Sequence, residues 1–208
     1  NIICYEKSNI FAVDLSLSSL AYAKRKMQEL NFNEIEFLHG DILSLQNIKK
    51  KFDVIECVGV LHHMENPENG LSILLDLLEP HGFLKLGIYS EISRKHIIEV
   101  RSFVEKNNST SDLNNIRSTR ELIKNDKDNK FFQKLTYNYD FYSTSSLRDM
   151  IFHVNEKRYT LDQILKLINS FNLEFLGFTN EKAKKNYSKS YPNDTNNLNI
   201  KNWSEFEI

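Results

Sequence analysis

The sequence is poor in the residues that mark several common protein classes. Only six glycines and three prolines occur among 208 residues. Nowhere do the glycines fall as G-x-G-x-x-G or G-x-x-x-x-G-K. The phosphate-cradling loops of dehydrogenases and nucleoside triphosphatases are therefore absent from this stretch. There are two cysteines, Cys4 and Cys57, far apart and each in apolar surroundings. That pattern favours buried thiols in a reducing compartment over a disulfide, which points to the cytoplasm. Basic residues number 27 against 28 acidic ones, a formal net charge of −1. A protein that grips nucleic acid through its phosphates needs a clear basic excess, so a nucleic-acid partner is disfavoured. No apolar run is long enough to span a bilayer and no signal-peptide pattern is visible, so no membrane partner is expected.

What is present is an alternation of short apolar strands and amphipathic helices. Hydrophobic residues make up 40% of the chain, enough for a sizeable core. Phe52-Asp53-Val54-Ile55-Glu56-Cys57-Val58 is a near-continuous apolar run, the mark of a strand buried in a parallel sheet. Strands are also expected at Ile10–Val13, Ile35–His39 and Phe83–Tyr89, and a last one at Leu173–Phe178. Leu20, Ala23, Met27 and Leu30 recur three or four apart and give the intervening helix one buried face. Asn1–Lys7 reads as the tail of a helix, and Glu68–Leu78 as another helix. From Ser90 the character changes: helices are expected over 91–106, 112–124 and 143–154. Thr160-Leu161-Asp162-Gln163 has the form of a capping box opening a further one. The fold class is therefore α/β, a Rossmann-like and mostly parallel sheet with flanking helices. Residues 1–90 form its core, 91–155 a helical insertion, 156–180 the last helix and strand of the core, and 181–208 a polar, loosely ordered tail. The chain begins at Asn1 on what reads as the end of an element, so a piece of a longer chain, with a sheet incomplete at both ends, is expected.

In an open α/β sheet, ligands bind beyond the carboxyl ends of the strands. Two carboxylates stand there. Asp14, followed by Leu15, ends the first strand; it is placed to accept hydrogen bonds from ribose hydroxyls, or to cap the next helix. Asp41, between Gly40 and Ile42, follows the second strand; it is placed to accept from an amine of a base, or to close a turn. Beyond the central strand lie Val58, Gly59, His62 and His63. Gly59 permits close backbone approach to a ligand. The two histidines suit proton transfer near a substrate, or packing in the core. A metal site is not expected, because adjacent histidines on a loop lack the usual ligand spacing. Tyr89 and Glu91 follow the next strand and can orient a substrate, and Tyr142 can line an apolar wall beside it; structural roles are the alternative for each.

These residues resemble class I S-adenosylmethionine-dependent methyltransferases. Val13-Asp14-Leu15-Ser16 is similar to the family's ribose-binding strand end, and Gly40-Asp41-Ile42-Leu43 to its adenine-binding motif. Phe52–Ile55 with Val60-Leu61-His62-His63-Met64 is similar to its fourth strand and loop. Leu77-Leu78-Glu79-Pro80-His81-Gly82-Phe83-Leu84 is similar to its helix-to-strand turn, usually Pro-Gly-Gly, with His81 in place of one glycine. Phe141–Asp149 is similar to a segment of methyltransferase domains attached to tetratricopeptide repeats, which makes such repeats a possible partner in a parent chain. The resemblance covers residues 8 to 90. The family's first strand and glycine-rich loop would precede Asn1. It implies S-adenosylmethionine as cofactor and methyl transfer to a small-molecule or protein acceptor, with this stretch inactive alone. Asp14, Leu15, Asp41, Ile42, Val58 and Gly59 would contact the cofactor, His62 or His63 would take a proton, and Tyr89, Glu91 and Tyr142 would face the substrate. A non-catalytic α/β interaction module and a nicotinamide-dependent oxidoreductase are the competing expectations.

Overall fold

The computed structural model describes residues 8–32, 34–107, 110–152 and 156–207. They fall into two compact units. The first takes the chain up to Cys57 together with Asn66–Leu86; the second takes Val58–Glu65 together with everything from Gly87 on. The expected helix at Asn1–Lys7 lies outside the described residues.

The first unit is built from crossover pairs. Strand β1 (Ile10–Asp14) lies parallel to β2 (Ile35–His39), registered from Ile10 opposite Ile35 to Asp14 opposite His39. Helix α1 (Leu17–Glu29) makes the crossover. Ser16 caps it by accepting from the Ser19 N–H at 3.2 Å, and Leu20 is its buried contact. Asn31, at φ 61°, takes the left-handed turn that ends the segment. Strand β3 (Phe52–Val58) pairs with β4 (Leu78–Gly87). The Phe52 N–H donates to Leu77 at one end and the Gly59 N–H to Gly87 at the other, so both strands run in the same direction. Helix α2 (Pro67–Asp76) joins them, opened by the Asn66 side chain and by Pro67 in its first turn. Leu45, Ile73 and Leu77 are the buried centre, packed by Val13, Leu38, Ile42, Ile48, Phe52 and Ile55. The expected turn at Pro80-His81-Gly82 is instead a kink inside β4. His81 adopts φ 65°, a backbone state that glycine enters without steric cost.

The second unit contains the helical insertion: α3 (Lys95–Lys106), α4 (Leu113–Asn125), α5 (Lys130–Thr136) and α6 (Thr144–Ile151). Their apolar faces close on one core that includes Val100, Ile116, Ile123, Leu135, Phe141 and Leu147, all fully buried. A short parallel pair, β5 (Tyr89–Ser90) with β6 (Arg158–Tyr159), brings the two ends of the insertion together. Helix α7 (Leu161–Ser170) opens with the expected capping box between Thr160 and Gln163.

Two expectations are corrected here. Leu173–Phe178 forms no strand. Its aromatic rings pack on the helices that follow, with Phe178 at 4.7 Å from Trp203, and Gly177 at φ 112° breaks the extended run. Nor is 181–207 loosely ordered: it forms α8 (Glu181–Ser190) and α9 (Ile200–Glu207). Tyr187 stacks on Trp203 at 3.8 Å and 6°, and its hydroxyl donates to Asp194 at 2.5 Å. A few aromatic residues thus organise an otherwise polar segment around one buried cluster with Leu161 and Ile200. Among the described residues no helix is long and apolar enough to cross a membrane.

Candidate active site

In the first unit, the two predicted carboxylates sit at neighbouring strand tips. Asp14 ends β1 opposite His39, and the Gly40 N–H donates to the Asp14 carbonyl at 3.2 Å, so Asp41 begins one residue beyond that bond. Each carboxylate spends one oxygen locally. Asp14 Oδ1 accepts from the Ser16 N–H at 2.7 Å, and Asp41 Oδ1 accepts from the Leu43 N–H at 2.9 Å, where it caps a 3₁₀ turn over Ile42–Asn47. The turn role foreseen for Asp41 is therefore real, whereas the helix cap foreseen for Asp14 falls to Ser16 and Asp14 closes the turn before it. The second oxygen of each has no hydrogen-bond donor among the described residues. Around them, Leu15 is 65% exposed and Leu43 40%, while the Leu15 carbonyl is held 2.9 Å from His39 Nε2. Ile42 turns the other way, into the core around Leu45. Acceptor oxygens interleaved with exposed apolar surface suit a ligand that is polar at its hydroxyls and flat and apolar elsewhere, as a nucleoside is. The acceptor set therefore fits one.

In the second unit, the turn after β3 carries the two histidines. Gly59 sits at φ 79°, and a Cβ built there would meet no atom within 4 Å. Glycine is required at this point by backbone conformation rather than by crowding. The neighbouring Val58 is exposed. Leu61–His63 forms a single 3₁₀ turn. It is tied down by Lys157, whose N–H donates to the His62 carbonyl at 2.7 Å and whose Nζ donates to the Glu65 carbonyl at 2.6 Å.

His62 and His63 end up differently. His62 is buried, 1% exposed, with its ring 3.9 Å from Tyr89 and 4.2 Å from His63. Neither of its ring nitrogens makes a well-formed hydrogen bond with the described residues. Burial, with lesser contributions from His63 and Arg94, pushes its pKa down to about 4, against a smaller opposing influence of Glu156. The His62 ring is therefore neutral at pH 7. His63 is half-buried, with Tyr89 edge-on at 6.0 Å.

Behind Tyr89 lies a charged cluster that the sequence did not announce. The Arg94 guanidinium lies over the Tyr89 ring, 3.7 Å from its centroid. Arg94 is in turn held by the Glu156 carboxylate through its Nε, at 2.9 Å, and its Nη2. Glu156 is almost wholly buried and also faces Arg101 at 3.0 Å and Arg158 at 3.5 Å. Glu91 accepts from Arg158 Nε at 3.0 Å and belongs to this network. Tyr142 packs edge-on against Phe141 in the helical core and is otherwise exposed. Among the described residues no group of three metal-ligating side chains gathers.

The profile of the methyltransferase-domain family matches residues 3–135. The chain belongs to that family. It is 28% identical over 181 residues to an uncharacterized protein of Synechococcus sp., covering 83% of this chain and 43% of that one. It is 31% identical over 85 residues to the mitochondrial ubiquinone biosynthesis O-methyltransferase of Schizosaccharomyces pombe, covering 40% of this chain and 31% of that one. Among solved structures, PKMT2 from Rickettsia typhi shares its fold. One structure superposes with a TM-score of 0.67 at 20% identity over 98% of this chain and 42% of that one. Another, a complex with AdoHcy, superposes with a TM-score of 0.62 at 21% identity over 97% and 42%. The chain thus spans less than half the length of these relatives. Membership of a methyltransferase-domain family weighs against the nicotinamide-dependent reading.

Proposed function

We propose that this methyltransferase-family chain binds S-adenosylmethionine through Asp14 and Asp41 and serves methyl transfer to an acceptor bearing an O–H or N–H group. The observation that carries this reading is the pair of carboxylates at adjacent tips of two parallel strands, each with one oxygen left for a ligand. Asp14 accepts from ribose hydroxyls, and Asp41 from the adenine amine, with exposed Leu15 supplying apolar contact; Ile42, turned into the core, supplies none. When bound, S-adenosylmethionine supplies an electrophilic methyl group on a sulfonium, whose good leaving group reduces the protein's task to alignment and exclusion of water.

On the acceptor side, His63 takes the proton from the acceptor's O–H or N–H as the new bond to carbon forms. Its partial exposure favours it over the fully buried His62. Tyr89 orients the histidine turn. Glu91 and Tyr142, expected at the substrate, take structural parts in this reading, because Glu91 is paired with Arg158 and Tyr142 packs on Phe141. We place the reaction in the cytoplasm, with a small molecule or a protein as acceptor. Tetratricopeptide repeats are the attached partner that the Phe141–Asp149 segment suggests.

A non-catalytic module with a degenerate cleft is the competing reading. Thermal shift in the presence of S-adenosylhomocysteine or oxidised nicotinamide dinucleotide separates the alternatives. Stabilisation by the first alone supports the proposal. Stabilisation by neither favours the module, and stabilisation by the second overturns the cofactor assignment.

A further inference from the structure

Three successive backbone carbonyls leave the end of β1, and each has a donor. The Asp14 carbonyl accepts from the Gly40 N–H at 3.2 Å, the Leu15 carbonyl from the His39 ring at 2.9 Å, and the Ser16 carbonyl from the Leu20 N–H at 3.1 Å. The first and third are backbone bonds that follow from the strand register and from the first turn of α1. The second depends on a side chain. A carbonyl oxygen only accepts, so His39 carries a ring proton on Nε2.

That bond has a further consequence. The Leu15 carbonyl and the Ser16 N–H belong to one planar peptide unit. His39 Nε2 holds the oxygen of this unit from β2, and Asp14 Oδ1 accepts from its N–H at 2.7 Å. A rotation of the peptide that frees its oxygen also withdraws its N–H from the carboxylate. Ring, peptide and carboxylate thus form a short hydrogen-bonded chain, in which the ring polarises the peptide and strengthens its N–H as a donor. His39 is placed for this because it stands opposite Asp14 in the parallel register, and paired residues project from the same face of a sheet. His39 is itself exposed, so it adds little to the core around Leu45. Leu15, 65% exposed, is carried by the same peptide.

We propose that His39 is a positioning residue of the nucleoside site: its ring fixes the Leu15–Ser16 peptide, and that peptide fixes the Asp14 carboxylate with its second oxygen free for a ribose hydroxyl. The proposal rests on the reading of Asp14 as the ribose acceptor. His39 acts through Asp14, by removing the freedom that the carboxylate would otherwise lose on binding.

The test is calorimetry of the intact chain with S-adenosylhomocysteine, on the wild type, His39→Ala, His39→Gln, Asp14→Ala and the double variant of His39→Ala with Asp14→Ala. His39→Ala weakens binding about threefold to tenfold, the worth of one ordinary hydrogen bond. His39→Gln, whose amide can donate to the same carbonyl, recovers most of the loss. In the Asp14→Ala background His39→Ala changes little further, because the carboxylate it positions is gone. If His39→Ala does not fold, His39→Thr takes its place, a good strand former without the reach to Leu15. Unchanged binding on loss of the ring, with Asp14→Ala weakened, overturns the proposal and leaves the reading of Asp14 standing. So does a loss that adds in full to that of Asp14→Ala, as a role separate from the carboxylate would give. Absent binding by the wild type, or unchanged binding in Asp14→Ala, overturns the reading of Asp14 and the proposal with it.

Discussion

The Gly40 N–H donates to the Asp14 carbonyl at 3.2 Å, and through that bond the tips of β1 and β2 are locked side by side. The consequence is chemical. Asp14 and Asp41 are brought to one edge of the sheet with a fixed offset, and Leu15 is left exposed between them and the following helix. A sheet register, set by apolar pairs such as Val13 opposite Leu38, thereby determines where two acceptors stand.

Acid should expose the buried state of His62. Its folded pKa of about 4 lies below the ordinary value of 6.5, so the unfolded chain binds the extra proton between those limits. Stability from this group is complete above pH 6.5 and is lost as pH falls toward 4, by on the order of 3 kcal/mol in total. Urea denaturation at pH 7, 6 and 5 should show the decline, and His62→Gln should flatten it. An unchanged slope in that variant would contradict a buried neutral ring.

Glu156→Ala should be among the most damaging substitutions in the second unit. It leaves the guanidinium groups of Arg94, Arg101 and Arg158 facing one another in a buried space. Breaking a buried ion pair from one side costs about 3–5 kcal/mol. A fall of that size in denaturant stability is expected, with Glu156→Gln milder because it retains a hydrogen-bond acceptor.

Gly87→Ala should destabilise through contact rather than conformation. A Cβ there would lie 2.5 Å from Val58 Cγ1 and 3.1 Å from its Cα. Overpacking of this kind costs about 1–3 kcal/mol. Adding Val58→Ala removes the closest contact, so the double variant should recover part of the loss in a thermal melt; no recovery would place the strain elsewhere.

Trp203→Ala removes the ring on which Tyr187 stacks, together with the bond from its Nε1–H to the Asn197 carbonyl at 2.8 Å. A loss of about 3–5 kcal/mol is expected, as for other buried aromatics. Limited proteolysis should then cut within α8 or α9 first.

Much of this was legible in the residues. Apolar runs ending in Asp14, His39 and Val58 located β1, β2 and β3, although the burial on both faces expected of β3 is not found: Cys57 is its buried residue, and Val54 and Val58 are exposed. The pattern around Thr160 located α7, because capping is a local exchange of hydrogen bonds. Contacts distant in sequence were not legible. Arg94 and Glu156 stand 62 residues apart, and nothing local marks either as a partner. Ser90 and Glu207, hydrogen-bonded across 117 residues, are as silent. The Leu173–Phe178 strand and the loosely ordered tail failed for one reason. In the fold Phe175, Phe178, Tyr187 and Trp203 find each other, and no local pattern announces contacts between a short apolar run and aromatics scattered through a polar segment.

The claim on which the rest depends is that a nucleoside bridges the two strand-tip acids. Isothermal calorimetry with S-adenosylhomocysteine on the wild type, Asp14→Ala and Asp41→Ala tests it directly. Hydrogen bonds to a charged acceptor are worth about 1.5–3 kcal/mol, so roughly a tenfold to hundredfold weakening in Asp14→Ala is predicted, and a smaller one in Asp41→Ala. Wild-type binding that survives unchanged in both variants would contradict the account.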